Sequence, residues 1–122
     1  MAAVAKVVAG VIDQPALGVA IDTEHLSRMT LGELSLQREV LALFDRQADM
    51  LLPRIRQGAP ATAAASAHTL KGSAVGIGAF KVARAVEQVE RARDAEIAAA
   101  VDTLAKVLDE AKAEIARLLQ AA

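Results

Sequence analysis

From Ile97 to Leu118 the apolar residues fall at Ile97, Val101, Leu104, Leu108, Ala111, Ile115 and Leu118. The steps alternate between four and three, the spacing of one face of an α-helix rather than the two-residue alternation of a strand. A long helix with one apolar face needs other elements to cover that face. The remaining segments also carry helical spacing, with no strand pattern and no internal repeat. The fold class that follows is all-α: an antiparallel up-and-down four-helix bundle with a short extra N-terminal helix. Composition agrees, because 54% of the residues are apolar but only 2% are aromatic. The apolar content is largely Ala, Leu and Val with few β-branched runs, which favours helix.

The chain divides into an N-terminal arm, 1–21, and a bundle domain, 22–122. Pro15 and Gly18 make the arm irregular or loosely packed. Its first twelve residues are apolar apart from Lys6, but that charge sits mid-run rather than first, so a cleaved signal peptide is not the expected reading. Asp22 or Thr23 is suited to cap a short helix that ends near Met29, before Gly32. A second helix is predicted from about Glu33 to Gly58, with Leu34, Leu41, Phe44, Ala48, Leu51 and Ile55 on its inner face. Val40 and Leu43 widen that face. Pro53 lacks an N–H for the carbonyl of Asp49, which predicts a kink or an offset last turn. Pro60 fits the first turn of a third helix that runs to Gly76 or Ile77, with Ala63, Ala67, Leu70, Ala74 and Ile77 inward. Gly78 permits a tight reversal into a fourth helix with Ala79, Val82, Val86 and Val89 on one face. Asp94 is the expected cap of the fifth. The short first helix is expected to pack across one end.

The chemistry concentrates in 67–74, AHTLKGSA, on the third helix. His68 points about a quarter turn away from the core stripe. It shares its face with Ala64, Lys71, Gly72, Val75 and Gly76, three, four, seven and eight positions away. Most of these are small, which leaves the imidazole open to a macromolecule. In mid-helix Gly72 costs about 0.5–1 kcal/mol relative to Ala, and in so alanine-rich a chain its presence points to close approach by something large. Neutral imidazole is a competent nucleophile, and phosphoryl transfer asks mainly for positioning and charge stabilisation. Lys71 is placed to steady an anion on the ring. Yet no acidic cluster for Mg²⁺ and no nucleotide loop is evident. Gly76-Ile77-Gly78-Ala79-Phe80-Lys81 has no preceding strand and reads as a turn between helices. These residues describe a phosphoryl carrier that relies on a partner's catalytic machinery. With no Cys there is no disulfide, thiol nucleophile or thiolate metal site, and with a net charge of −1 and no basic block, nucleic-acid binding has little support.

Other residues carry weaker readings. Lys81 and Arg84 either add positive charge near the phosphoryl group or form a solvated face. Glu90 and Gln47 are candidates to hydrogen-bond the imidazole. Leu43, Gln47 and Met50 form a second stripe on helix two that, with Ala64 and Val75, either borders His68 as a docking surface or completes the core. His25 is expected to be a solvated or helix-end residue, and Thr69 and Ser73 to bond backbone carbonyls.

AHTLKGSA followed by Gly76 and Ile77-Gly78-Ala79 resembles the signature of histidine-containing phosphotransfer (HPt) domains of bacterial phosphorelays. The upstream Leu26-Ser27-Arg28-Met29-Thr30-Leu31-Gly32, the Phe44 stretch and Leu51-Leu52 resemble the family's first two helices. The resemblance spans about residues 22–119 and leaves the arm and Pro53 outside its pattern. It implies that His68 accepts a phosphoryl group from a receiver-domain phospho-aspartate and passes it to another receiver. Lys71 would steady that group, and Gly72 would leave room for the receiver. The implied partners are receivers of hybrid histidine kinases and response regulators, which would supply Mg²⁺; no cofactor of the chain's own and no kinase activity are expected. A cytoplasmic monomer that contacts neither membrane nor nucleic acid is expected. The alternatives are a non-catalytic helical adaptor that does not need His68, and the phosphorylatable module of a chemotaxis-type kinase. The latter is disfavoured because no ATP-binding or dimerisation segment follows helix five.

Overall fold

A computed structural model describes residues 18–121. They form five helices: α1 (Thr23–Met29), α2 (Leu34–Gln57), α3 (Pro60–Ile77), α4 (Phe80–Arg91) and α5 (Glu96–Ala121). No strand occurs among the described residues. Most of the expected arm, 1–17, lies outside them. Of its remaining residues, Ile21 is buried and belongs to the core.

Each of α2, α3 and α4 packs on the helix that follows it, and α5 closes the ring against α2. Connections as short as Gly58-Ala59 and Gly78-Ala79 leave consecutive helices no arrangement but antiparallel neighbours. The periodic stripes meet inside: Leu41, Phe44, Leu51, Leu70, Ala74, Val82, Val86, Leu104 and Leu108 are all buried. The alanines Ala48, Ala67, Ala74 and Ala111 lie in the same core, and their small side chains let the helices approach closely.

The ends of α1 and α3 meet at one corner. The Asp22 side chain accepts a hydrogen bond from the His25 backbone N–H at 3.1 Å, capping α1. The Asp22 backbone N–H donates to the Gly78 carbonyl at 2.9 Å, which holds α1 across the α3–α4 corner. Gly78 ends α3 in the left-handed region, with φ of 83°. A Cβ at that position would lie 2.6 Å from the Asp22 carbonyl oxygen. Gly78→Ala therefore meets both a left-handed backbone penalty and a clash with main chain. The expected result is a loss of about 2 kcal/mol or more in urea-denaturation stability; an unchanged midpoint would mean that the corner can open at no cost.

Three sequence expectations change in the structure. Leu34 is 70% exposed rather than in the core. One turn further along, Arg38 already bonds the Leu119 carbonyl in the last turn of α5, at 2.7 Å, so Leu34 lies beyond that neighbour. Ile97 is 42% exposed for the matching reason at the other end. Asp102, more than a turn later, is the residue that meets Arg56 in the last turn of α2, at 2.8 Å. Asp94 does not cap α5: it sits at φ of 51°, and Glu96 Oε1 instead accepts from the Arg93 backbone N–H at 3.4 Å. Pro53 lies inside α2, which continues as helix to Gln57.

Ion pairs join the helices outside the core. Lys112 on α5 donates to Asp45 Oδ1 at 2.7 Å and Asp49 Oδ1 at 2.6 Å on α2. Burial pulls the Lys112 ammonium down, but the hydrogen bonds and charges of the two carboxylates outweigh it and hold the group above its ordinary 10.5. A raised folded-state value stabilises the fold below the unfolded value and loses that contribution as pH rises through the folded one. Wild type is therefore expected to be more stable than Lys112→Met at neutral pH, and the two urea midpoints to converge well above pH 10.5. The group is partly exposed, so the gap at neutral pH is modest, about 1 kcal/mol. A gap that persists in strong alkali would assign it to the alkyl stem's packing instead.

Candidate phosphoryl-accepting site

His68 lies at the middle of α3, with Ala67 and Leu70 buried beneath it. The imidazole itself is exposed and forms no hydrogen bond among the described residues. Ala64, Gly72 and Val75 on the same face are also exposed, and Gly76 is half-buried. A Cβ built on Gly72 meets no heavy atom within 4 Å, and the same holds at Gly76. Neither glycine is demanded by the packing of this chain, in contrast to Gly78.

Lys71 follows His68 by three residues and is half-buried. Its Nζ donates to Glu90 Oε1 on α4 at 2.9 Å. Glu90 thus engages the lysine and not the imidazole. Gln47 is half-buried and makes no side-chain hydrogen bond to His68 among the described residues. Lys81 is directed away from the site: its Nζ bonds Glu110 on α5 at 3.0 Å, which ties α4 to the helix that does not border α3. Arg84 is exposed on α4. The Thr69 and Ser73 hydroxyls make no bond to backbone carbonyls among the described residues. His25 lies at the helix end, in the first turn of α1, and is half-buried. Its Nε2 is buried without a partner among the described residues, and its ring stands edge-on to Phe80 at 5.0 Å between centroids.

Leu43 and Met50 are each 49% exposed and Val75 is 42% exposed, so this stripe faces solvent instead of completing the core. Beside it runs a groove of about 300 Å³ lined by Met29, Leu36, Val40, Leu43, Gln47 and Gly76, among others. It joins the end of α1, the first half of α2 and the last turns of α3. Sequence reading missed Met29 and Leu36. The signal was present in part: Leu36, Val40, Leu43, Gln47 and Met50 repeat at four and three, a second stripe displaced from the core one. Gly76 lies eight residues beyond His68, about 12 Å along the helix, so groove and histidine belong to one face.

Among the described residues no group of three or more His, Cys, Asp or Glu side chains is placed to hold a metal ion. No helix among them is long and apolar enough to cross a membrane.

An exposed imidazole at mid-helix, a lysine one turn on and open glycines, carried on an antiparallel four-helix bundle, define a helical phosphotransfer module. The Hpt domain model matches residues 36–121, and the chain belongs to that family, the phosphotransfer carriers of two-component signalling. The structure is similar to the crystal structure of the histidine phosphotransferase ShpA from Caulobacter crescentus, with a TM-score of 0.67 and 29% sequence identity. The match covers 83% of this chain and 91% of that one. No curated protein matches the chain.

Proposed function

We propose that the protein carries a phosphoryl group on His68 between receiver-domain aspartates of its phosphorelay partners, hybrid histidine kinases and response regulators. The observation that carries this reading is the exposed imidazole of His68, unbonded among the described residues, on an Hpt bundle and one turn from the only cationic residue of α3, Lys71. In the forward step the unshared pair of the imidazole forms a bond to phosphorus. The acyl-phosphate P–O bond breaks, the aspartate carboxylate leaves with that electron pair, and the ring releases its proton to solvent. The same steps in reverse load the second receiver.

Lys71 balances charge on the phosphoryl oxygens, and Gly72 leaves space for the receiver. Mg²⁺ belongs to the receiver in this scheme, whose acidic residues hold it. The apolar stripe of Leu43, Met50 and Val75, with Ala64, Gln47 and Gly76 beside it, supplies a surface that loses water when a receiver docks. Lys81 turns away from this contact toward Glu110 on α5, and Arg84 is exposed further along α4. The reading makes the protein a monomeric carrier in the cytoplasm, without kinase activity of its own.

The test is incubation with a phosphorylated receiver, followed by a search for acid-labile, alkali-stable label on this chain. Binding of receivers without any label, across all receivers of its organism, would leave the adaptor reading in its place.

A further inference from the structure

We infer that Glu90 is a positioning residue that lowers the stability of phosphorylated His68 by competing with the phosphoryl group for Lys71. The inference rests on the carrier reading above and adds a control on how readily the group is passed on.

In the unphosphorylated protein Lys71 is already engaged. Its Nζ lies 2.9 Å from Glu90 Oε1, and the two side chains retain only 28% and 34% exposure. The pair bridges α3 and α4, with Lys71 half-buried and Glu90 at the exposed end of the contact. Lys71 is also the only Lys or Arg on α3. The nearest basic residue at the start of α4, Lys81, is committed to Glu110 at 3.0 Å. One ammonium therefore stands between two claims. Glu90 offers one negative charge at hydrogen-bond distance. A phosphoryl group on His68, three residues away on the same face, offers close to two.

An ammonium can donate to two anions at once, as Lys112 does, but its one positive charge then faces the carboxylate and the phosphoryl group together, so the phosphorylated state keeps an uncompensated charge however Lys71 turns. If the lysine moves to the phosphoryl group, the Glu90 carboxylate loses its cation. If it stays, the phosphoryl group lacks its counter-charge. The unphosphorylated state carries neither cost. Glu90 thus biases the equilibrium toward release of the group, which suits a carrier that must donate as well as accept. A neutral amide at position 90 removes the competition and makes the phosphohistidine more stable.

The test needs no knowledge of the partners. The probe is phosphoramidate: the imidazole forms an N–P bond, the donor's P–N bond breaks, and ammonia leaves and takes up the ring proton. At a fixed ratio of phosphoramidate to ammonium, the ratio of phosphorylated to free protein is read by intact mass and by the phosphohistidine ³¹P resonance. Glu90→Gln is expected to raise that ratio roughly two- to fivefold, the range set by a partly exposed ion pair. In a Lys71→Gln background the same change at position 90 is expected to have little effect, because Glu90 acts through the lysine. Urea midpoints of the variants check that the fold persists.

A ratio that falls or stays level in Glu90→Gln overturns the inference; a fall would mean that Glu90 presents Lys71 to the phosphoryl group. An equal rise with and without Lys71 also overturns it, since Glu90 would then act on the phosphoryl group directly. Wild type that takes label while Glu90→Gln shows no shift removes only the role of Glu90. Wild type that takes no label from phosphoramidate or from any receiver removes the carrier reading and this role with it.

Discussion

Replacing His68 by Gln is expected to abolish acid-labile labelling, a fall of at least about a hundredfold to background, because the amide has no nucleophilic nitrogen to form the N–P bond. Stability should change by no more than about 0.5 kcal/mol, since the side chain is exposed and bonds nothing among the described residues. The second histidine is no substitute. His25 Nε2 is buried and the ring packs against Phe80 at 5.0 Å, so that nitrogen is closed to a docked receiver. The measurement is transfer from a phosphorylated receiver, with urea midpoints for both proteins. Label that survives in His68→Gln would move the nucleophile elsewhere, and the His25→Gln variant would be the next to examine.

The second large effect is expected at Gly72. Its absent Cβ faces open space, with no heavy atom within 4 Å. Gly72→Ala should therefore raise the urea midpoint, since alanine is preferred in a helix by about 0.5–1 kcal/mol. Gly72→Gln should also fold, yet slow phosphoryl transfer from a receiver by about a hundredfold, because displacing the docked partner by about 1 Å is enough to misalign the reacting atoms. Transfer from phosphoramidate, which needs no docked protein, should be slowed far less. Equal slowing with both donors would mean that the new side chain disturbs His68 itself. Gly78 is the internal contrast: there the left-handed φ of 83° and the Asp22 carbonyl demand glycine for folding, whereas at position 72 folding makes no such demand.

Much of the molecule was legible from spacing. The stripes from Leu41 to Ile55, Ala67 to Ile77 and Val101 to Ile115 all became core. Asp22, Pro60 and Gly78 marked helix ends because each acts through its own backbone or its immediate neighbours. What was not legible had a common cause. Periodicity assigns an angle around one helix axis but not the height at which two helices meet. Leu34 and Ile97 have the right angle and the wrong height, past the last turns of their neighbours. The partners of Lys71, Lys81 and Glu90 depend on the same register between helices.

By itself the sequence determined the all-α bundle, the turn at Gly78 and the placing of His68, Lys71 and Gly72 on one helical face. Those follow from 3.6-residue periodicity and from the conformational limits of single residues, which are local. Tertiary structure alone decided that Leu43, Met50 and Val75 stay in solvent, that a groove opens between α1, α2 and α3, and that Lys71 is held by Glu90. Each of these depends on distances between side chains remote in the chain, and only the packed register of the helices sets them.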